Sequence, residues 1–220
     1  MQVAAAIVKL GADMATRTRR KYSPRLPREE RREQLLDATL KLIAESGYGG
    51  VSMEAVAREA EIAKTVVYDA FPNQQELLMA LLEREQERVL SAIAGALPRL
   101  PLSGDPGQIL GDAIARGLEA VREYPDTWRL ILLPADGTPP GVRDEVHRNR
   151  EALVRQIEPM VAWGIAQLGL GGLDQELAAY VIMGAAEDAA RLTLTHGDQF
   201  PPERVAKFSV DLLSALDRSS

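Results

Sequence analysis

The sequence predicts an all-α protein of about nine helices, with an N-terminal three-helix helix-turn-helix unit followed by a larger helical domain. Three observations carry that expectation. Apolar residues recur at helical spacing through nearly every segment, no segment shows a convincing strand pattern, and Pro- and Gly-containing stretches separate the periodic runs. The most informative stretch is Ser52 to Phe71, SMEAVAREAEIAKTVVYDAF, where two helical patterns are separated by a short turn. Helices that short are not stable alone, so their close coupling indicates a rigid device for presenting one helix face. Such a device is most often a DNA reader.

The elements follow in order. Over residues 28–46, Leu35, Leu36, Leu40, Leu42 and Ile43 form an apolar side, and Ser46-Gly47 with Gly49-Gly50 ends the helix. Ser52 can cap the second helix, with Glu54 favourable in its positive first turn and Met53, Val56 and Ala57 on its apolar side. After Glu61-Ile62-Ala63, the third helix covers Lys64 to Ala70, and Pro72-Asn73 breaks the chain before a long helix from Gln74 to about Leu97. Pro98, Pro101, Gly104 and Pro106 mark a linker, and Asp105 caps a helix running to about Tyr124. A short helix from Pro125 to Leu133 follows. Pro139-Pro140-Gly141 opens a long helix to about Leu168, Asp174 caps another to His196, and Pro201-Pro202 opens the last, ending near Leu216. The expected domains are a basic arm over 1–27, a helix-turn-helix domain over 28–88 with its central motif at about 51–70, and a helical regulatory and dimerisation domain over 89–220.

Composition narrows the function classes. The 220 residues include no cysteine and two isolated histidines, His147 and His196, so a disulfide framework, a thiol nucleophile and a histidine metal site are not expected. No cofactor is expected either. No apolar run approaches the roughly 20 residues that cross a bilayer, and MQVAAAIVKLGADM lacks a basic secretory leader, so the reading is a cytoplasmic protein without membrane contact. Met14 is an alternative initiator to Met1. The formal net charge of −6 is unevenly spread, because Arg17, Arg19, Arg20, Lys21, Arg25, Arg28, Arg31 and Arg32 crowd one segment. Alone, that run reads as a solvated tail; before a two-helix reader it reads as a phosphate-seeking arm.

The order of an Arg/Glu- and Leu-rich helix followed by SGYGGVSMEAVAREAEIAKTVVYDAFPNQQEL resembles the DNA-binding domain of TetR-family transcriptional regulators over roughly residues 28 to 88. Gly47, Val51-Ser52, Ile62, Lys64, Tyr68, Phe71 and Glu76-Leu77 carry the match; the remaining helices agree in number, length and order. The third helix supports the same reading by its own geometry. At about 100° per residue, Val67 and Phe71 share one face, while Thr65, Val66, Tyr68 and Asp69 spread over the opposite arc. Thr65 and Val66 are the base-reading candidates, through a hydroxyl bond and a thymine-methyl contact. Lys64, Tyr68 and the cap region at Ser52 are the phosphate-positioning candidates, a role the resemblance also implies for the tyrosine. The plainer alternatives are a half-buried aromatic for Tyr68, a solvated charge for Lys64 and a cap alone for Ser52.

Four residues depart from the family pattern. Glu61 stands where Gly is common in the turn, Ala63 where a hydroxyl cap is frequent, Gln74 where a phosphate-binding lysine often opens the fourth helix, and Asp69 where His is often found. A carboxylate at Asp69 either repels phosphate or accepts from a cytosine amino group. The arm residues Arg17, Arg19, Arg20, Lys21 and Arg25 are expected to offset the lost contacts.

Two further roles are assigned to the second half. Small and apolar side chains over 174–196 and 203–216 fit a four-helix homodimer interface through the last two helices, which is also where the family pairs its subunits; the alternative is an internal core. A dimer implies a roughly palindromic double-stranded operator. Trp128, Leu132, Met160, Trp163, Tyr180 and Met183, with His147, Glu187 and Asp188 as polar anchors, are candidates to line a pocket for a small apolar or amphipathic ligand. The resemblance implies a repressor that such a ligand releases from its operator. No acid/base pair, metal cluster or phosphate loop marks an enzyme, and a helical protein-interaction adaptor is the remaining alternative.

Overall fold

The computed structural model describes residues 26–133 and 140–217. These form nine α-helices and no strand: α1 (Arg28–Ser46), α2 (Met53–Glu59), α3 (Lys64–Ala70), α4 (Gln74–Ala96), α5 (Pro106–Glu123), α6 (Pro125–Leu132), α7 (Pro140–Gln167), α8 (Gln175–His196) and α9 (Pro202–Asp217). Ser52, Asp105 and Asp174 each accept a backbone amide at 3.1, 2.7 and 3.0 Å, from Ala55, Gln108 and Leu177. Asn73 caps α4 in the same way, accepting from the Glu76 amide at 2.9 Å and donating to its side chain at 3.0 Å. The end of α1 is sharper than its glycines suggested: Gly47, at φ 68°, stops the helix, and Tyr48–Gly50 forms a separate 3-10 turn that carries Tyr48 into the core.

Helices α1 to α3 and the start of α4 enclose the first core, in which Leu35, Val56, Val67, Phe71, Leu77 and Leu81 are all at most 1% exposed. Burying a side chain of this size stabilises by roughly 1.5–3 kcal/mol, so packing rather than propensity holds the seven-residue α2 and α3 in place. The turn between them is closed by Ile62 N–H donating to the Ala57 carbonyl at 2.9 Å and Glu61 N–H to that of Arg58 at 3.2 Å, while Ile62 packs on the core. This motif puts Glu61 at φ 55°, a left-handed conformation that L side chains occupy at a cost.

The second half is built on α4, whose 23 residues run about 35 Å. Its Leu77 and Leu81 belong to the first core, while Val89 joins Leu118, Val121, Trp128, Ala189 and Ala190 in a second. Leu97, at its end, packs on a third core of Val154, Ile157 and Ala179 between α7 and α8. Helix α9 lies closely on α5 because Gly111 has no side chain: a Cβ there would meet Val210 Cγ2 at 2.5 Å. Pro159 sits inside α7 and removes one amide from its hydrogen-bond ladder.

The two halves meet at a buried carboxylate. Glu85 of α4 is fully buried, accepting from Arg84 Nε at 2.7 Å, Arg88 at 3.1 Å and the Thr127 hydroxyl of α6 at 2.5 Å. Arg84 extends the network to Glu33 and Asp37 of α1, at 2.9 and 2.8 Å. Burial opposes the Arg84 charge, but Glu85, Glu33 and Asp37 outweigh it and hold its guanidinium above the ordinary range. Glu85→Ala is expected to lower unfolding free energy by about 3–5 kcal/mol in urea titrations, by leaving buried cationic donors unpaired. Two residues earlier, Glu83→Ala, at an exposed position, should change it by less than about 0.5 kcal/mol.

Candidate nucleic-acid interface

Helix α3 is pinned from behind and open in front. Val67 and Ala70 face the core, Phe71 follows them as the helix cap, and Arg32 of α1 donates to the Ala70 carbonyl at 2.7 Å while its guanidinium lies 4.2 Å from the Phe71 ring centre. Gln34 similarly donates to the Ala60 carbonyl at the end of α2, at 3.1 Å. Two polar side chains of α1 thus satisfy the carbonyls that end both short helices. Arg32, counted in sequence with the basic run, is occupied in positioning α3. No pattern in the sequence identifies that contact, whose partners lie 38 positions apart.

The opposite arc is uncovered by the chain's own residues. Lys64, Thr65, Tyr68 and Asp69 are exposed and Val66 is half-buried, so the five α3 candidates occupy one accessible surface. Ser52, half-buried at the start of α2, spends its hydroxyl on its cap. Tyr68 is 43% exposed, with Lys64 Nζ 5.5 Å from its ring centre. No hydrogen bond or ion pair holds the Thr65 or Asp69 side chain, and these two lie on one stripe, a turn apart. Ala63 caps α3 without a side-chain bond, leaving first-turn amides directed outward.

One electrostatic feature escaped the sequence reading. Lys64 is ion-paired with Glu54 in the first turn of α2, an exposed pair that raises the lysine pKa and lowers that of the glutamate, chiefly through their hydrogen bond. The only sequence signal is opposite charge at a separation of ten, which has no helical meaning across a turn. Lys64 therefore reaches a phosphate only by sharing or leaving Glu54.

The arm residues Arg17, Arg19, Arg20, Lys21 and Arg25 lie outside the described residues. The ligand candidates do not converge on one cavity. Trp128 is a core residue whose indole N–H donates to the Ala120 carbonyl at 3.1 Å, and Leu132 packs against the same core. His147 is on the surface, 3.3 Å from Glu151. Met160 and Trp163 are half-buried on α7, while Tyr180, Met183 and Glu187 sit on α8. Arg150 of α7 gathers two of these, bonding Glu187 at 2.8 Å and lying 5.8 Å from the Tyr180 ring centre. Asp188 is taken up by Arg191 at 2.8 Å. The carboxylate of Glu187 amid small residues is thus answered by an arginine 37 positions away, which periodicity does not reveal.

Comparison with known proteins bears on this surface. Residues 35–81, which include α2 and α3, match the family model described as bacterial regulatory proteins, tetR family. The chain is 28% identical over 172 residues to the HTH-type transcriptional activator FasR of Mycolicibacterium smegmatis, covering 78% of this chain and 76% of FasR. It is 32% identical over 125 residues to the HTH-type transcriptional repressor KstR of Rhodococcus jostii, covering 57% of this chain and 58% of KstR. A TetR-like transcriptional regulator from Rhodococcus sp. RHA1 superposes with a TM-score of 0.67 at 28% identity, over 88% of this chain and 97% of that one. The fold is also that of FadR from Bacillus subtilis, solved with stearoyl-CoA, at a TM-score of 0.60 and 18% identity over 82% and 96% of the two chains.

Glu54→Gln should release Lys64 and raise affinity for duplex DNA at low salt. Fluorescence anisotropy over a salt series is expected to show a slope of log affinity against log salt that is steeper by about 1, the signature of one added phosphate contact.

Proposed function

Because the chain belongs to the tetR family of bacterial regulatory proteins and is a DNA-binding transcriptional regulator, we propose that it acts as a homodimeric repressor whose α3 helices read a roughly palindromic operator. The observation that carries this reading is the uncovered arc of α3, backed by a face with Val67 and Phe71 at most 1% exposed. Thr65 and Val66 contact base edges, Asp69 accepts from a base amino group, and Lys64, Tyr68 and the Ser52 region position phosphates. Residues 28–88 form the reading domain and 89–220 the regulatory and dimerisation domain. The arm residues Arg17, Arg19, Arg20, Lys21 and Arg25 add phosphate contacts that compensate for Gln74 and Asp69.

The dimer is supported by an apolar surface on the last two helices. Leu177 and Val181 of α8 are 61% and 63% exposed, and Phe208 and Leu212 of α9 are 65% and 49% exposed. Within each pair the residues are four apart and share a face, and a two-fold partner covers such a surface with its own copy. Pairing there sets the two recognition helices about 34–36 Å apart, or a multiple of it. Repression follows from operator occupancy blocking polymerase, as in the relative named a repressor.

A small apolar or amphipathic ligand releases the operator in this reading. The residues best placed to meet it are Tyr180, Met183 and Glu187, with Arg150 beside them; Met160, Trp163, Leu132, Trp128 and His147 are the remaining candidates. The acyl-CoA in the structure named for FadR supports a ligand with an alkyl portion.

Selection of bound sequences from random duplex DNA tests the reading. The native chain is expected to recover a two-fold motif, Tyr68→Ala to lose affinity for all sequences, and Thr65→Ala to lose about 1–3 kcal/mol of preference at one position per half-site. Phe208→Glu is expected to sediment as a monomer in analytical ultracentrifugation and to lose binding to the paired half-sites, because it buries an unpaired charge in the interface.

A further inference from the structure

A cleft of about 140 Å³ lies between the first helix of the reading domain and α6. Its walls are Leu40, Ile43 and Ala44 of α1, Tyr48 of the following turn, and Asp126, Arg129, Leu130 and Leu133 on the α6 side. None of the residues assigned to the ligand pocket or to DNA contributes to it. A cavity of roughly 150 Å³ lined by aliphatic side chains accommodates a benzene-sized molecule.

The chemistry of the lining limits the occupant. Asp126 and Arg129 bond each other at 2.9 Å, so the mouth carries compensated charge and selects no ion. Tyr48 is different: only 8% exposed, it has no hydrogen-bond partner for its hydroxyl among the described residues. Burial pushes the Tyr48 phenol pKa up, keeping it a protonated donor. A buried donor without an acceptor is unfavourable, and an acceptor delivered by a bound molecule relieves it. The polar demand of the cleft is therefore for one acceptor oxygen, next to an aliphatic wall.

We propose that the α1–α6 cleft is a binding site for a small neutral molecule with an apolar body and one carbonyl-type acceptor, which receives the Tyr48 hydroxyl proton in a hydrogen bond. The occupant touches helices on both sides of the domain junction. This site goes beyond the regulator reading and does not depend on it: the random-duplex selection tests that reading, and the measurement below contains no DNA.

Acetophenone is the probe, ethylbenzene its counterpart without the acceptor, and benzoate the anionic one, titrated into full-length chain labelled at Ile and Leu methyl groups. Acetophenone is expected to shift the Ile43, Leu130 and Leu133 methyl resonances saturably. Tyr48→Phe should weaken acetophenone about five-fold and leave ethylbenzene unchanged, as loss of one neutral hydrogen bond requires. Ala44→Leu, at an exposed position of α1, should block both by filling the cleft while the other methyl resonances stay in place. The proposal is overturned if no saturable shift occurs at those methyls, if Tyr48→Phe leaves acetophenone affinity unchanged, or if benzoate binds more tightly than acetophenone.

Discussion

The Glu85 carboxylate is the constraint around which the two halves are arranged. A fully buried charge is tolerated only where donors surround it, and here they come from Arg84 and Arg88 on its own helix and Thr127 on α6. Since Arg84 also bonds Glu33 and ion-pairs with Asp37, α1, α4 and α6 cannot shift independently without leaving a buried charge short of partners. The network lies beside Leu130 of α6, which reaches into the first core, so polar and apolar contacts fix the same junction. The reading helix is carried on a bundle whose orientation depends on this cluster.

The second dependence runs through α3 itself. Thr65-Val66-Val67 is a β-branched run in a seven-residue helix with no side-chain cap, a combination of low intrinsic stability. What compensates is external: Val67 and Phe71 in the core, Arg32 on the final carbonyl and on the Phe71 ring. All support comes from one side, which is why the other side is free to meet a groove. The Glu54–Lys64 pair adds an electrostatic restraint on that free side, because a basic residue neutralised in cis contributes less to indiscriminate phosphate attraction.

Much of the architecture was legible in the sequence because helix ends are chemically marked. Ser52, Asp105 and Asp174 announced their caps, and Pro72, Pro125 and Pro202 bounded elements within a residue or two of where they lie. The division of α3 into Val67 and Phe71 inside and Thr65, Tyr68 and Asp69 outside followed from angular spacing alone. Pairings between helices were not legible. Arg32 with Ala70, Glu85 with Thr127 and Arg150 with Glu187 join positions 38, 42 and 37 apart, and no periodic pattern encodes them. For the same reason a tryptophan read as a pocket candidate, Trp128, belongs to the core: its type states what it can do, while its neighbours decide what it does.

Magnitudes limit how a ligand in the second half can act on the first. Allosteric coupling is typically about 1–3 kcal/mol, whereas removing one partner from a buried ion pair costs about 3–5 kcal/mol. A ligand with ordinary coupling therefore cannot work by pulling Glu85 away from its donors. It must move α4 and α6 together, with the Glu85–Thr127 contact intact, and let softer contacts absorb the displacement. The exposed Arg129–Asp126 pair and the cleft beside Tyr48 are of that softer kind, being solvent-accessible or incompletely filled. The junction thus combines a stiff polar centre with a compliant rim, and a small tilt about the centre is the motion it permits at least cost.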